Sequence, residues 1–188
     1  MNPLSLIPVS EDELEDLREL SIQTFTAAFG PQNDPADFQN YLQNAFSREQ
    51  LTEELHQAGT TFYFLREAAP TVANNTDTGA TEPSAATLGY LKLNTDAAQS
   101  EPLGEEGMEV ERIYVRDGHQ GKGLGQWMIE RSGEMAKKAG KSFLWLGVWQ
   151  ENTRAVAFYQ RMGFVIFGEH PYYIGSDRQM DWLMRLDL

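Results

Sequence analysis

The sequence predicts an α/β sandwich, a central mixed and mostly antiparallel sheet flanked by helices. Three observations carry that prediction. Apolar residues recur at helical spacing through the first sixty positions, β-branched and aromatic runs follow, and the last eighty residues read strand, helix, strand, helix, strand. At 188 residues the chain has the usual size of one domain, expected to span 1–188. Its 41% hydrophobic and 11% aromatic content is that of an ordinary globular protein.

Ser10 and Glu13 form a capping-box pattern ahead of a helix whose buried stripe is Leu14, Leu17, Ser21, Phe25 and Ala28. Asp34 caps a second helix with Pro35 in its first turn and Phe38, Tyr41, Leu42, Ala45 and Phe46 on one face. Ser47 with Gln50 starts a short third helix carrying Leu51 and Leu55, which stops near Gly59. Residues 61–66 and 88–93 read as strands. Between them, residues 70–86 hold Val72 as their only large aliphatic side chain and read as an exposed, mobile hairpin loop inserted in the domain. A second weakly structured stretch, 97–107, precedes a strand at 108–115. A helix over about 123–139 closes at Gly140, and 143–149 is a strand. Asn152 caps a helix running to Met162 and ended by Gly163, before strands near 164–169 and 180–186.

The formal charge of −13 and a pI near 4.6 argue against a nucleic-acid binder, whose affinity rests on Lys and Arg neutralising phosphates, and an anionic membrane would repel the chain. The same field attracts cations such as polyamines, though acidity also serves solubility alone. The absence of cysteine excludes disulfides, thiolate metal sites and a cysteine nucleophile. The first ten residues carry no basic segment and no run of about 18 apolar residues occurs, so a cytoplasmic protein off the membrane is expected. His56, His119 and His170 lack metal-ligand spacing, and no metal is expected. The hydrolase pattern G-x-S-x-G is absent.

The densest signal is Gln120-Gly121-Lys122-Gly123-Leu124-Gly125, between the strand ERIYV and a helix. A strand that empties into a glycine turn at a helix N-terminus presents unpaired N–H groups and the positive end of the helix dipole, a site for pyrophosphate. The P-loop pattern fails because no Gly-Lys-Ser/Thr ends the turn, and the dinucleotide pattern fails because Gln126 stands where the third glycine belongs. A tight strand-to-helix connection without a ligand is the plain alternative.

Gln120-x-x-Gly123-x-Gly125 resembles the acetyl-CoA signature Q/R-x-x-G-x-G/A of the GNAT acetyltransferases. Asn152, Ala155, Phe158, Tyr159 and then Gly163-Phe164 resemble that family's second block, N-x-x-A-x-x-x-Y-x-x-x-G-F. The resemblance runs from about Met108 to the C-terminus. More loosely, FTAAFG, YLQNAFS, TFYFLRE and GEHPYYIGSDRQMDWLMRLDL look like the bacterial spermidine/spermine acetyltransferase branch, from which the 70–86 loop departs.

The resemblance implies the GNAT fold, acetyl-CoA as donor, and direct transfer to a primary amine of a small molecule, with a polyamine as the finer implication. It further implies that Ile113, Tyr114 and Val115 pair by their backbone with the pantetheine arm, that Gln120, Gly121, Lys122, Gly123, Leu124 and Gly125 hold the pyrophosphate, that Asn152 hydrogen-bonds the pantetheine arm besides or instead of capping its helix, and that Phe158 lines the cofactor channel. A homodimer is common in the family. Alkylamines have pKa values near that of Lys, about 10.4, so the acceptor needs a base, and the departing thiolate needs an acid. Glu111 is the preferred base, with Glu109 as runner-up. On a regular strand both point to one face, so only a bulge would distinguish them. Tyr159 matches the family's general acid. Phe25, Phe29, Tyr172 and Tyr173 are candidate contacts for a cationic amine. Two rivals stand beside this reading: transfer to a protein N-terminus or lysine, and a non-catalytic CoA-binding module.

Overall fold

The computed structural model describes residues 3–67, 86–174 and 177–188. Helices α1 (Leu14–Phe29), α2 (Pro35–Ala45) and α3 (Arg48–His56) come first, each begun by a side-chain cap or capping box. Glu13 reaches back to the Ser10 N–H at 3.1 Å, Asp34 accepts from the N–H groups of Ala36 and Asp37, and Ser47 accepts from that of Gln50. The α1 stripe forms as its spacing predicts except at Ala28, which is exposed while Thr24 is buried.

Seven strands follow the order β1-β2-β3-β4-β5-β7-β6: β1 (Leu4–Pro8), β2 (Thr60–Glu67), β3 (Ala86–Thr95), β4 (Gly107–Val115), β5 (Phe143–Trp149), β6 (Val165–Ile174) and β7 (Asp177–Asp187). Among the described pairings, only β4 with β5 is parallel, so the sheet is mixed and mostly antiparallel, as expected. The edge strand β1 is an element the periodicity did not suggest. Five residues bounded by Pro3 and Pro8 make a weak pattern, and the strand exists through its register with β2, Leu4 opposite Glu67 and Pro8 opposite Tyr63. β6 and β7 form one long hairpin that extends well beyond the two segments expected there. The insertion expected at 70–86 lies, apart from Ala86, outside the described residues.

α4 (Leu124–Lys138) and α5 (Thr153–Arg161) pack on one face of the sheet over Leu91, Leu93, Val110, Leu144, Leu146 and Met184. α1, α2 and α3 pack on the other over Phe62, Phe64 and Tyr90. The 97–107 stretch has little regular structure beyond one 3-10 turn, yet its side chains tie it down. Gln99 accepts from Trp145 Nε1 at 2.6 Å, Ser100 bonds Glu109, and Glu101 meets His170 Nδ1 at 2.7 Å.

Candidate active site

β4 and β5 pair only from Gly107 opposite Phe143 to Glu109 opposite Trp145, and then separate. From Val110 onward β4 is paired on one side, by β3, and its other edge opens into a gap bounded by residues 146–149 of β5. A strand edge in this state carries a row of free N–H and C=O groups able to pair with an extended ligand. Ile113, Tyr114 and Val115 lie on this open edge.

The ladder between β3 and β4 slips by one residue here: Leu93 faces Val110, but Lys92 faces Arg112. Glu111 is the additional residue of a β-bulge. The bulge turns Arg112 and Tyr114 toward the α1–α3 face, which an unbroken strand would have denied them, and Glu111 reaches that face as well. β3 approaches β4 so closely beside the open edge that a Cβ at Gly89 would stand 2.3 Å from the Tyr114 carbonyl oxygen, so that position admits only glycine without a shift.

The two candidate carboxylates have different surroundings. Glu109 is 2% exposed, at the closed end of the gap, and accepts from the Ser100 N–H at 2.8 Å, from the Ser100 hydroxyl and from Asn94 Nδ2 at 3.0 Å. Burial raises its pKa above the ordinary value, against the lowering effect of those hydrogen bonds. Glu111 sits at the start of the open edge and contacts Lys92 Nζ at 2.6 Å, Asn94 Nδ2 at 2.6 Å and an Arg112 guanidinium nitrogen at 3.4 Å. Burial works to raise this carboxyl too, but Arg112 and then Lys92 outweigh it and hold the pKa below its ordinary value. Glu54 of α3 bonds both cations, at 3.0 Å to Lys92 Nζ and 2.9 Å to Arg112, so each positive charge is shared between two carboxylates.

Tyr159 approaches from α5, on the other face, with its ring between those of Phe158 and Phe164 at 5.2 and 5.6 Å. Burial pushes its pKa upward, so the phenol is protonated at neutral pH. Glu111 and Tyr159 therefore lie on opposite faces of the sheet. Asn152 caps α5, its Oδ1 accepting from the Ala155 N–H at 3.1 Å. Phe158 is half-buried and would touch a Cβ at Gly125 at 3.6 Å, which links the N-terminus of α4 to α5.

The glycine turn is exposed at Gln120, Gly121, Lys122 and Gly123, and Leu124 is buried beneath it. Gly123, at φ +80°, precedes α4 with no side-chain cap, leaving the first N–H groups of the helix open to an anion. The Gln120 side chain braces the turn, donating at 3.3 Å to the Val115 carbonyl and to Asp117.

The four aromatic candidates separate. Phe25 is 6% exposed and is a core hub, touching Phe29, Phe38, Tyr41, Phe46 and Tyr114. Phe29 is half-buried and faces Trp149 of β5 at 6.2 Å. Tyr172 is half-buried with its hydroxyl bonded to that of Tyr41, whereas its neighbour Tyr173 points to the opposite face of the sheet and is 55% exposed. Sequence reasoning missed Lys92, Asn94, Arg112, Glu54 and Trp149. Lys92 and Asn94 left a signal, two polar residues at alternate positions of an otherwise apolar strand.

Comparison with known proteins agrees with this geometry. The model of the acetyltransferase (GNAT) family matches residues 14–164. An uncharacterised N-acetyltransferase from the pepI 3′ region of Lactobacillus delbrueckii subsp. lactis is 35% identical over 185 residues, 98% of each chain. Streptothricin acetyltransferase of Streptomyces lavendulae is 36% identical over 72 residues, 38% of each chain. Among solved structures, the PaiA N-acetyltransferase of Thermoplasma acidophilum in complex with coenzyme A superposes with a TM-score of 0.68 at 15% identity, covering 99% of both chains. The spermidine N-acetyltransferase of Vibrio cholerae, in complex with CoA and spermine, superposes at 0.67 with 18% identity, covering 98% of this chain and 95% of that one. The chain belongs to the GNAT acetyltransferase family and has its fold. By class it is an acetyl-CoA-dependent N-acetyltransferase.

Proposed function

We propose that this enzyme transfers the acetyl group directly to a primary amine of a small cationic molecule, with a polyamine as the leading acceptor. The observation that carries the reading is the parting of β4 and β5, with the Glu111 carboxylate at the start of the open edge on one face of the sheet and the protonated Tyr159 phenol packed on the other face. In this reading the pantetheine arm pairs with the open edge at Ile113, Tyr114 and Val115, and the pyrophosphate takes the N–H groups from Gly121 to Gly125, with Lys122 beside it. The Asn152 amide nitrogen, left over from helix capping, and the Phe158 ring face the arm. The acceptor enters between Phe29, Trp149 and Tyr172, whose rings suit an alkylammonium.

Glu111 takes the proton from the acceptor ammonium, and the neutral nitrogen attacks the thioester carbonyl carbon. The C–N bond forms as the C–S bond breaks, the Tyr159 hydroxyl delivers its proton to the departing sulfur, the second proton lost by the acylated nitrogen returns to the Tyr159 phenolate, and Glu111 releases its proton to solvent. Glu109 is engaged by Ser100 and Asn94 and supports Glu111 rather than meeting the amine. With no cysteine in the chain, a thioester-bound acetyl-enzyme has no attachment point. Support for a polyamine comes from the net charge of −13, the aromatic entrance and the likeness in fold to a spermidine acetyltransferase.

The test is release of CoA thiol with acetyl-CoA and a panel of spermidine, spermine, neutral-tailed amines and short peptides. Turnover favouring polyamines supports the proposal, equal turnover of neutral-tailed amines removes the polyamine assignment, and turnover with peptides alone replaces the acceptor.

A further inference from the structure

Asn94 is 1% exposed and takes no part in the proposed transfer, yet its amide oxygen and both of its amide N–H groups are engaged. Thr60 Oγ1 donates to Asn94 Oδ1 at 3.0 Å, which fixes the orientation of the amide. The two N–H bonds of Nδ2 are thereby turned to β4, one to Glu109 Oε2 at 3.0 Å and one to Glu111 Oε2 at 2.6 Å. An amide nitrogen carries two donors, and here two different carboxylates consume both. The β-bulge at Glu111 interrupts the ladder at this point, so backbone pairing does not hold the Glu111 side chain in place. Among the described residues, the side chains that hold it are Lys92 and Arg112, which are charged, and Asn94, which is not.

We infer that Asn94 is a positioning residue for acetyl transfer, a neutral clamp that Thr60 orients and that sets the Glu111 carboxylate at the mouth of the gap by tying it to the buried Glu109. The inference rests on Glu111 being the base. The neutrality of the clamp matters as much as its geometry. A third cation would bind the proton acceptor more tightly still, and a carboxylate in its place would repel both neighbours. The titratable and charged groups that face Glu111 are Lys92 and Tyr90 of β3, Arg112 and Glu109 of β4, Glu54 of α3 and Tyr41 of α2.

The experiment compares steady-state kinetics of Asn94→Ala, Thr60→Val and Thr60→Ser with the parent enzyme, each also in the Glu111→Gln background. Asn94→Ala is expected to lower kcat by roughly 10- to 100-fold, with KM for acetyl-CoA held within about twofold, as for loss of an interaction that orients a catalytic group. Thr60→Val should follow it in the same direction, because the amide loses its fixed orientation, and Thr60→Ser, which keeps the donor, should restore the rate. In the Glu111→Gln background Asn94→Ala should cost little further, because its effect passes through Glu111. Asn94→Asp should move the acidic limb of the kcat/KM profile to higher pH, a change that a merely structural loss would not produce. An unchanged kcat in Asn94→Ala, or an equal loss in both backgrounds, would overturn the inference while leaving the base assignment intact. Full activity of Glu111→Gln alone would overturn the base assignment and the clamp with it.

Discussion

The two faces of the sheet are built on opposite terms. On the α4–α5 face the core is almost wholly apolar, its buried polar groups among the described residues being the Ser132 hydroxyl, bonded to the Met128 carbonyl, and the Tyr159 phenol. The α1–α3 face buries Glu54, Lys92, Asn94 and Glu109 beside an aromatic core. Burying charge is costly unless it is paired and hydrogen-bonded. The fold concentrates this cost on one face, at the point where two strands part.

The sharpest way to break the comparison is to remove one reacting group from each face. Glu111→Gln and Tyr159→Phe should each lower kcat by about 10²–10⁴-fold, as for loss of a general base or acid. Both should keep acetyl-CoA binding near that of the parent enzyme when measured by titration calorimetry. Loss of activity in one variant only would mean that a single face carries the chemistry.

Next in size are stability losses of comparable magnitude and different origin. Lys92→Met leaves Glu54 and Glu111 with Arg112 alone where they shared two cations, and should cost ~3–5 kcal/mol in denaturant unfolding. Leu144→Ala, fully buried on the other face, should cost ~2–5 kcal/mol through its cavity alone. The two part in their dependence on salt and pH, which only the lysine variant should alter.

A smaller effect probes the open edge. Gly89→Ala forces β3 away from the Tyr114 carbonyl and should cost ~1–3 kcal/mol, with KM for acetyl-CoA raised because the strand proposed to pair with pantetheine shifts.

The smallest expected effect is the pH dependence of unfolding. Burial acts to raise Glu111, but Arg112 and Lys92 hold its folded pKa below the value near 4.5 expected when unfolded. Its contribution is therefore complete above that value and disappears as pH falls through the folded pKa. The stability difference between the parent protein and Glu111→Gln should shrink as pH is lowered below about 4.5. Glu109, raised chiefly by burial, has the opposite sign: its contribution is present at low pH and is lost as pH rises through its folded value. A difference that grew on acidification would reverse the roles assigned to the two carboxylates.

Much of this was legible in the chain because it depends on neighbours in sequence. The caps at Ser10, Asp34, Ser47 and Asn152, the stop at Gly163 and the glycine turn before α4 are local devices, and they form where their residues stand. The strand β1 was not legible, because five residues acquire strand geometry only by pairing with β2, sixty positions away. Nor was the clamp, whose members Thr60, Asn94, Glu109 and Glu111 lie on three strands and meet through register.

The glutamates show where that boundary falls. By itself the sequence determined that two carboxylates lie two residues apart on one strand, ahead of a glycine turn and a tyrosine-bearing helix, since periodicity and local conformational preference dictate those facts. Only the tertiary structure decided which carboxylate stands at the open end of the gap and which is sealed at the closed end. The one-residue slip between β3 and β4, the ending of the β4–β5 pairing at Glu109 and the folding of Ser100 over that residue are long-range events. Their energies come from register, close packing and buried charge, which no short stretch of chain contains.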